Sequence, residues 1–299
     1  MRFGLFGTGP WAHMAHARAL AEHKDVELVG VWGRNPEKAR LLAEEHGSRA
    51  YGEIGNLIEE VDAVAIALPP DVQAPIALRA ARAGKHLLLD KPVAFTTAEA
   101  DEIVAAVDER DLASIVFFTR RLMPETVRFV ADAVATGGWL EARVDHLGSI
   151  FQPGDPFGES PWRKQSGGLW DVGPHAVALI LPILGPVTEV TALAGPRDLT
   201  KVILRHGSGA VSSLTLAVDA PPAAAREEAL ISGEAGVRQP PPTEWDPVQA
   251  LSLGLDELIG AASGGPKPEL DVRFGAAVTA ILAGCQEAIT SGRTVSIGG

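Results

Sequence analysis

The chain has 299 residues, 46% of them hydrophobic and 21% charged, with 26 basic against 38 acidic side chains and a formal net charge of −12. That length and composition suit two ordinary globular domains that need no disulfide or structural metal to hold a core, and the acidic balance argues against a protein that wraps a nucleic-acid phosphate backbone. One cysteine, Cys285, excludes an internal disulfide and a four-cysteine zinc site.

From the N-terminus, residues 2–6 (RFGLF) predict a short buried strand and residues 10–23 a helix, with Pro10 in its first turn, where a missing N–H does no harm. Residues 26–32 (VELVGVW) predict a second strand. PEKARLLAEEHG predicts a helix with Asn35 as N-cap, Pro36 at N1 and Gly47 past its end. The alternation continues with a strand at 62–69, a helix at 72–84 despite Pro75, a strand at 85–90, a helix at 96–110 and a strand at 113–118. Strand–helix alternation to about residue 120 predicts a doubly wound parallel sheet, and the unbroken apolar run DAVAIAL fits a strand covered on both faces.

Beyond that point the rhythm changes. Residues 124–138 predict a helix, 139–152 a long strand, 153–166 a loop, and about 168–184 a helix. Three or four strands follow (VTEVTALAG, KVILRHG, AVSSLTLAV, EEALISG), joined by turns rather than helices, which predicts an open and mostly antiparallel sheet. Helices at about 246–263 and 271–290 and a short TVSI strand close the chain. Cys285 sits in the last helix and reads as a small buried hydrophobe. No apolar run reaches the ~18 residues of a membrane span. The N-terminus enters its first strand without the apolar stretch and cleavage site of a signal peptide, so a soluble, cytoplasmic protein is expected.

The first strand leads into Gly7-Thr8-Gly9-Pro10-Trp11-Ala12, a G-x-G-x-x-A pattern. Gly7 permits the tight turn, Gly9 lets the backbone approach a pyrophosphate, Ala12 lets the helix pack close, and the helix start offers N–H groups to the anion. Such a motif is weak alone; between a strand and a helix at the head of a βαβ rhythm it marks a Rossmann dinucleotide site. After the second strand, where an NAD site usually places a carboxylate for the ribose 2′-hydroxyl, the chain reads Trp32-Gly33-Arg34-Asn35. Arg34 can pair with a 2′-phosphate, which favours NADP(H) over NAD(H). Arg34 stacking on adenine, or turned to water, leaves NAD open.

With KHLLLDKP at 85–92 the chain resembles the Gfo/Idh/MocA oxidoreductase family, named for glucose–fructose oxidoreductase, inositol 2-dehydrogenase and a rhizopine catabolism protein. The resemblance extends through GTGPWA, ALPPDVQAPIALRAARAGKHLLLDKP (67–92), FFTRRLMP (117–124), PWR (161–163), GGLWDVGPH (167–175) and LISGEAGV (230–237). It implies hydride transfer between NAD(P) and a carbonyl or hydroxyl carbon of a sugar, cyclitol or related polyol, and commonly a homodimer or higher homo-oligomer. The family's E-K-P motif stands here as Asp90-Lys91-Pro92, and the resemblance puts Leu68, Pro69, Gln73, Asp90, Lys91 and Pro92 beside the cofactor. Lys91 would reach the substrate oxygen and the nicotinamide ribose, where an ammonium can stabilise a developing alkoxide.

Asp171 and His175 form a second constellation. Their i,i+4 spacing on a predicted helix puts both on one face, where a carboxylate can orient an imidazole. By resemblance His175 exchanges a proton with a substrate hydroxyl or carbonyl, and Asp171 supports it or binds a neighbouring hydroxyl. Trp162 and Arg163, in the loop before that helix, either bind substrate hydroxyls or a carboxylate or anchor the loop. The chain departs from the family pattern at Ala178, where a further Asp is common, at Gln73, where a His is common, and at Thr119, where Asn is common. His13 and His16 lie three residues apart on the first helix, with no third ligand for a metal, and read as helix-surface or cofactor-edge residues; His86 begins a buried strand.

The expectation is an NAD(P)-dependent dehydrogenase or reductase, with a Rossmann domain at 1–119 and an α+β substrate and dimerisation domain at 120–299 whose C-terminal helix is free to return onto the first. No metal, nucleic-acid or membrane partner is expected. Two other readings stay open: a non-catalytic NAD(P)-binding regulator, and a glycosidase or epimerase that oxidises its substrate transiently.

Overall fold

The computed structural model describes residues 1–242 and 246–298. The chain forms two compact units, Met1–Leu122 with Trp245–Ala277, and Met123–Glu244 with Val278–Gly299.

The first unit begins with β1 (Arg2–Phe6) and a helix that opens with a π-helical stretch, Ala12–Ala17, and continues as α1 (Arg18–Glu22). There follow β2 (Glu27–Trp32), α2 (Pro36–Glu45), β3 (Arg49–Tyr51), α3 (Ile54–Glu59), β4 (Ala63–Ile66), α4 (Pro70–Arg82), β5 (His86–Asp90), α5 (Thr97–Glu109) and β6 (Ser114–Phe117). The six strands pair in parallel in the order β3-β2-β1-β4-β5-β6. β4 and β6 are buried at every position, which is why they read as continuous apolar runs. Asn35 caps α2 as expected, its Oδ1 accepting the Lys38 N–H at 3.0 Å with Pro36 next to it.

The second unit contains α6 (Pro124–Thr136), β7 (Trp139–Leu147), α7 (Pro161–Asp171), α8 (Gly173–Leu184), β8 (Val187–Ala194), β9 (Thr200–His206), β10 (Val211–Ala217), β11 (Arg226–Gly233) and β12 (Gly236–Arg238). After α9 (Pro247–Ala262) and α10 (Val272–Ser291), the short β13 (Val295–Ser296) completes a seven-stranded sheet in the order β12-β11-β7-β10-β9-β8-β13. Every pair is antiparallel except β7 with β10, which run parallel. α8 packs on β7 and α7 on β10. Along β9, Val202 and Leu204 are buried while Ile203 is 48% exposed, so helices cover one face and the other stays open.

In its elements the structure differs from the sequence reading at several places. β3 and α3 are absent from that reading: three and six residues are too few to show a period. The long strand expected at 139–152 ends at Leu147. The chain from Trp245 to Ala277 joins the first unit: a Cβ on Gly254 of α9 would touch Leu122 and Ile115, the Val116 N–H donates to the Leu270 carbonyl at 2.7 Å, and the Phe274 ring meets Phe118 edge-on. These contacts cover the edge strand β6, whose unpaired groups would otherwise be open to another strand. Two helical stretches, Pro161–Leu184 and Val272–Ser291, are long and apolar enough to cross a membrane by length and composition, and 72% and 56% of their apolar windows are buried within the fold.

Candidate active site

Because the six strands of the first unit are parallel, their C-terminal ends share one edge. Strand order reverses between β1 and β4, the crevice where open α/β sheets bind ligands. The expected dinucleotide residues fall along this edge. The Gly7 N–H donates to the Trp32 carbonyl at 2.8 Å, its φ is +136°, and a Cβ there would lie 2.4 Å from the Ala67 carbonyl oxygen, so only glycine makes this turn. A Cβ on Gly9 would meet nothing within 4 Å. The space over that loop is open, as a pyrophosphate seated on the helix start requires. Ala12 is fully buried under it. Pro10 is exposed, and Trp11 is half-buried, its ring stacked at 5.9 Å on Phe117. Thr8 packs against Gly33, joining the loops that follow β1 and β2.

Arg34, just after β2, is exposed, and its guanidinium has no hydrogen-bond or ion-pair partner among the described residues. Leu68 and Pro69 are half-buried after β4. Asp90 ends β5, its Oδ1 accepts the Lys91 N–H at 2.8 Å, and the Lys91–Pro92 peptide is cis. Lys91 is half-buried and Pro92 buried.

Two side chains stand elsewhere than expected. Gln73, expected at the cofactor, is fully buried, with its carboxamide bonded to the backbone of residues 90–93. His16, expected at the helix surface or cofactor edge, is fully buried between Trp11 and Phe117, and burial holds its imidazole down at about 4, with the Trp11 backbone offsetting only part of that. A π-helical first turn advances each side chain by a smaller angle than an α-helix does, which displaces residues from the face that α-periodicity assigns. Of the other singled-out residues, His13 is exposed near Glu45, and the Cys285 thiol is buried and pushed up to about 12.

In the second unit the Gly167-Gly168 pair has a packing reason. Gly167 has φ +62°, and a Cβ on Gly168 would lie 2.4 Å from Ala217 Cα on β10. Asp198 pins this approach: its Oδ2 accepts the N–H groups of Gly168 (2.9 Å) and Val218 (2.7 Å), and its Oδ1 that of Asp219 (3.0 Å). The helix expected to run unbroken through Asp171 and His175 is interrupted. Asp171 closes α7, Val172 departs to φ −104°, and His175 stands in the first turn of α8. Pro174 has no N–H to add to the ladder, yet Val172 keeps right-handed helical angles, its N–H donating to the Gly168 carbonyl at 3.0 Å and its carbonyl accepting the Ala176 N–H at 3.3 Å.

Asp171 is buried, and its Oδ2 accepts from Arg163 Nε at 2.9 Å. Arg163 lies in the first turn of α7 rather than in a loop, over the rings of Trp162 (4.6 Å) and Phe157 (5.0 Å). His175 stacks on His146 of β7 at 6.1 Å, and His146 Nε2 lies 3.7 Å from Glu227 Oε2, its cross-strand partner on β11. Asp198, His146 and Glu227 escaped the sequence reading, for they lie in no motif and meet these residues only through strand pairing. Among the described residues, no group of three His, Cys, Asp or Glu side chains is placed to hold a metal.

Comparison with known proteins adds the family. The profile described as "Oxidoreductase family, NAD-binding Rossmann fold" matches residues 1–118, and that of the GFO/IDH/MocA C-terminal domain matches residues 126–238. The chain belongs to the Gfo/Idh/MocA family. Within this Gfo/Idh/MocA chain, residues similar to UDP-N-acetylglucosamine 3-dehydrogenase of Acidithiobacillus ferrooxidans are 34% identical over 124 positions, 42% of this chain but only 39% of that enzyme. The dTDP-3,4-didehydro-2,6-dideoxy-alpha-D-glucose 3-reductase of Streptomyces antibioticus is 28% identical over 248 residues, 79% of this chain and 74% of the relative. The fold matches the WlbA dehydrogenase of Bordetella pertussis, solved with NADH and UDP-GlcNAcA, with a TM-score of 0.86, 22% identity, and coverage of 100% of this chain and 98% of that one. The Gfo/Idh/MocA assignment accounts for both the parallel sheet and the mixed sheet.

Proposed function

We propose that this Gfo/Idh/MocA member is an NADP(H)-preferring oxidoreductase that interconverts a hydroxyl and a carbonyl on a sugar, cyclitol or related polyol. The cofactor preference rests on Arg34, an exposed guanidinium beside the start of α2, at the place where a carboxylate would select a free 2′-hydroxyl. Gly7, Thr8, Gly9, Pro10 and Trp11 with the helix start hold the pyrophosphate; Leu68, Pro69, Asp90 and Pro92 border the nicotinamide half. The substrate class is supported by the nucleotide-sugar chemistry named for the relatives.

When bound, the nicotinamide supplies or accepts the hydride. Lys91 stabilises charge on the substrate oxygen, and His175 holds the proton that leaves or joins it. Asp171 holds Arg163, and with Trp162 and Phe157 this gives a guanidinium–aromatic surface suited to a sugar ring and its hydroxyls. The open sheet face, with Leu193, Ile203 and Val211 exposed, supports the reading that copies of this protein pair through it.

The test is a fluorescence titration with NADPH and NADH in parallel, followed by a panel of sugar and cyclitol carbonyls. Tighter binding of NADPH supports the role given to Arg34, and tighter binding of NADH refutes it. Binding with no turnover on the panel favours a regulator, and product formed without net cofactor consumption favours transient oxidation.

A further inference from the structure

The carboxamide of Gln73, on α4, bonds the turn that carries Lys91, and it does so on both sides of the lysine. Its Oε1 accepts the Asp90 N–H at 2.9 Å, and its Nε2 donates to the carbonyls of Asp90 (2.8 Å) and Pro92 (3.0 Å), with a longer contact to that of Val93 (3.3 Å). A primary amide has one acceptor oxygen and two N–H donors, so the group is saturated and no part of it remains for a ligand. It is fully buried. The Lys91 N–H is held separately by Asp90 Oδ1 at 2.8 Å, and Pro92 has no N–H. Gln73 itself is fixed from the neighbouring strand: it lies in the first turn of α4, its N–H donating to the Pro69 carbonyl at 2.8 Å directly after β4.

We propose that Gln73 is a positioning residue for Lys91, tying the Asp90–Val93 backbone to the start of α4 so that the lysine is presented from a rigid turn. An apolar side chain of similar size would fill the space and remove these bonds to the turn. Glutamate would keep the acceptor and lose both donors. Histidine would keep one donor and one acceptor and so hold the turn in part. The inference rests on the reading of Lys91 as a ligand of the nicotinamide ribose and substrate, and the experiment separates the two.

The test is a double-mutant cycle of wild type, Gln73→Leu, Lys91→Met and the double variant, with Gln73→His and Gln73→Glu beside them. Two readouts need no substrate: the dissociation constants of NADPH and NADH by fluorescence titration, and hydrogen exchange at the Asp90 and Lys91 amides. Melting temperatures identify variants that fold; should the leucine variant fail, the histidine and glutamate variants carry the cycle. Gln73→Leu should speed exchange at those amides and weaken the better-bound dinucleotide about tenfold, Gln73→His should recover part of both, and Gln73→Leu should add nothing in the Lys91→Met background. Wild-type exchange and affinity in a folded Gln73→Leu, or losses that multiply in the double variant, overturn the proposal. Unchanged affinity in Lys91→Met alone refutes the reading of Lys91, while the exchange data still decide whether Gln73 holds the turn.

Discussion

His16 allows the sharpest test of the packing. Its imidazole is fully buried against Trp11 and Phe117, and among the described residues neither ring nitrogen makes a well-formed hydrogen bond, the Trp11 backbone compensating only weakly. Burial lowers its pKa from 6.5 to about 4. A lowered value means the unfolded chain binds the proton first, so stability is intact above the unfolded value and is lost as pH falls toward 4. A gap of about 2.5 units corresponds to roughly 3 kcal/mol lost across that window. Replacing His16 by leucine removes this titration and the two ring nitrogens. At neutral pH the variant should be more stable by about 1 kcal/mol, the low end of the cost of a buried unpaired polar group. The assay is urea unfolding of both proteins followed by tryptophan fluorescence at steps between about pH 7 and pH 4, read as the difference between them so that groups common to both cancel. The advantage of the leucine variant should widen by about 3 kcal/mol toward the acid end. A difference that stays flat with pH refutes both the burial of a neutral imidazole and the linkage drawn from it.

The other predictions concern the site. Lys91→Met and His175→Ala should each lower turnover by about a hundredfold or more with circular dichroism and melting unchanged, and near-normal rates in both would reject the mechanism. Arg34→Ala should weaken NADPH at least about tenfold and leave NADH within about twofold, measured by titration. Gly168→Ala puts a Cβ 2.4 Å from the Ala217 backbone and should cost about 2 kcal/mol or more in denaturant unfolding; a neutral result would mean that β10 yields there. Asp171→Asn leaves the guanidinium of Arg163 without its buried counter-charge and should destabilise by about 3 kcal/mol, a loss that Arg163→Met in the same chain should partly restore.

Much of the fold was legible because burial leaves a period in the sequence. Strands covered on both faces appear as AVAI and SIVF, Asn35-Pro36 announces a helix start, and Gly7 of GTGPWA and Gly168 of GGLWD mark backbone that approaches other backbone. The family resemblance carried that reading from fold to chemistry. The short pair β3 and α3 left no such trace. Helical spacing misled where the helix is not regular, at the π-helical opening that buries His16.

The sequence by itself therefore determined the two kinds of sheet, the loop that receives a dinucleotide and the residue types available for hydride chemistry, since each depends on patterns within a few neighbouring positions. Only the tertiary structure decided what those side chains bond to. Gln73 meets Asp90 across 17 positions, Asp198 meets Gly168 across 30, and Glu227 reaches His146 by pairing β11 with β7. A hydrogen bond is satisfied by whatever donor or acceptor the packed elements bring within about 3 Å, and those neighbours are chosen by strand order and helix packing, which no local pattern encodes.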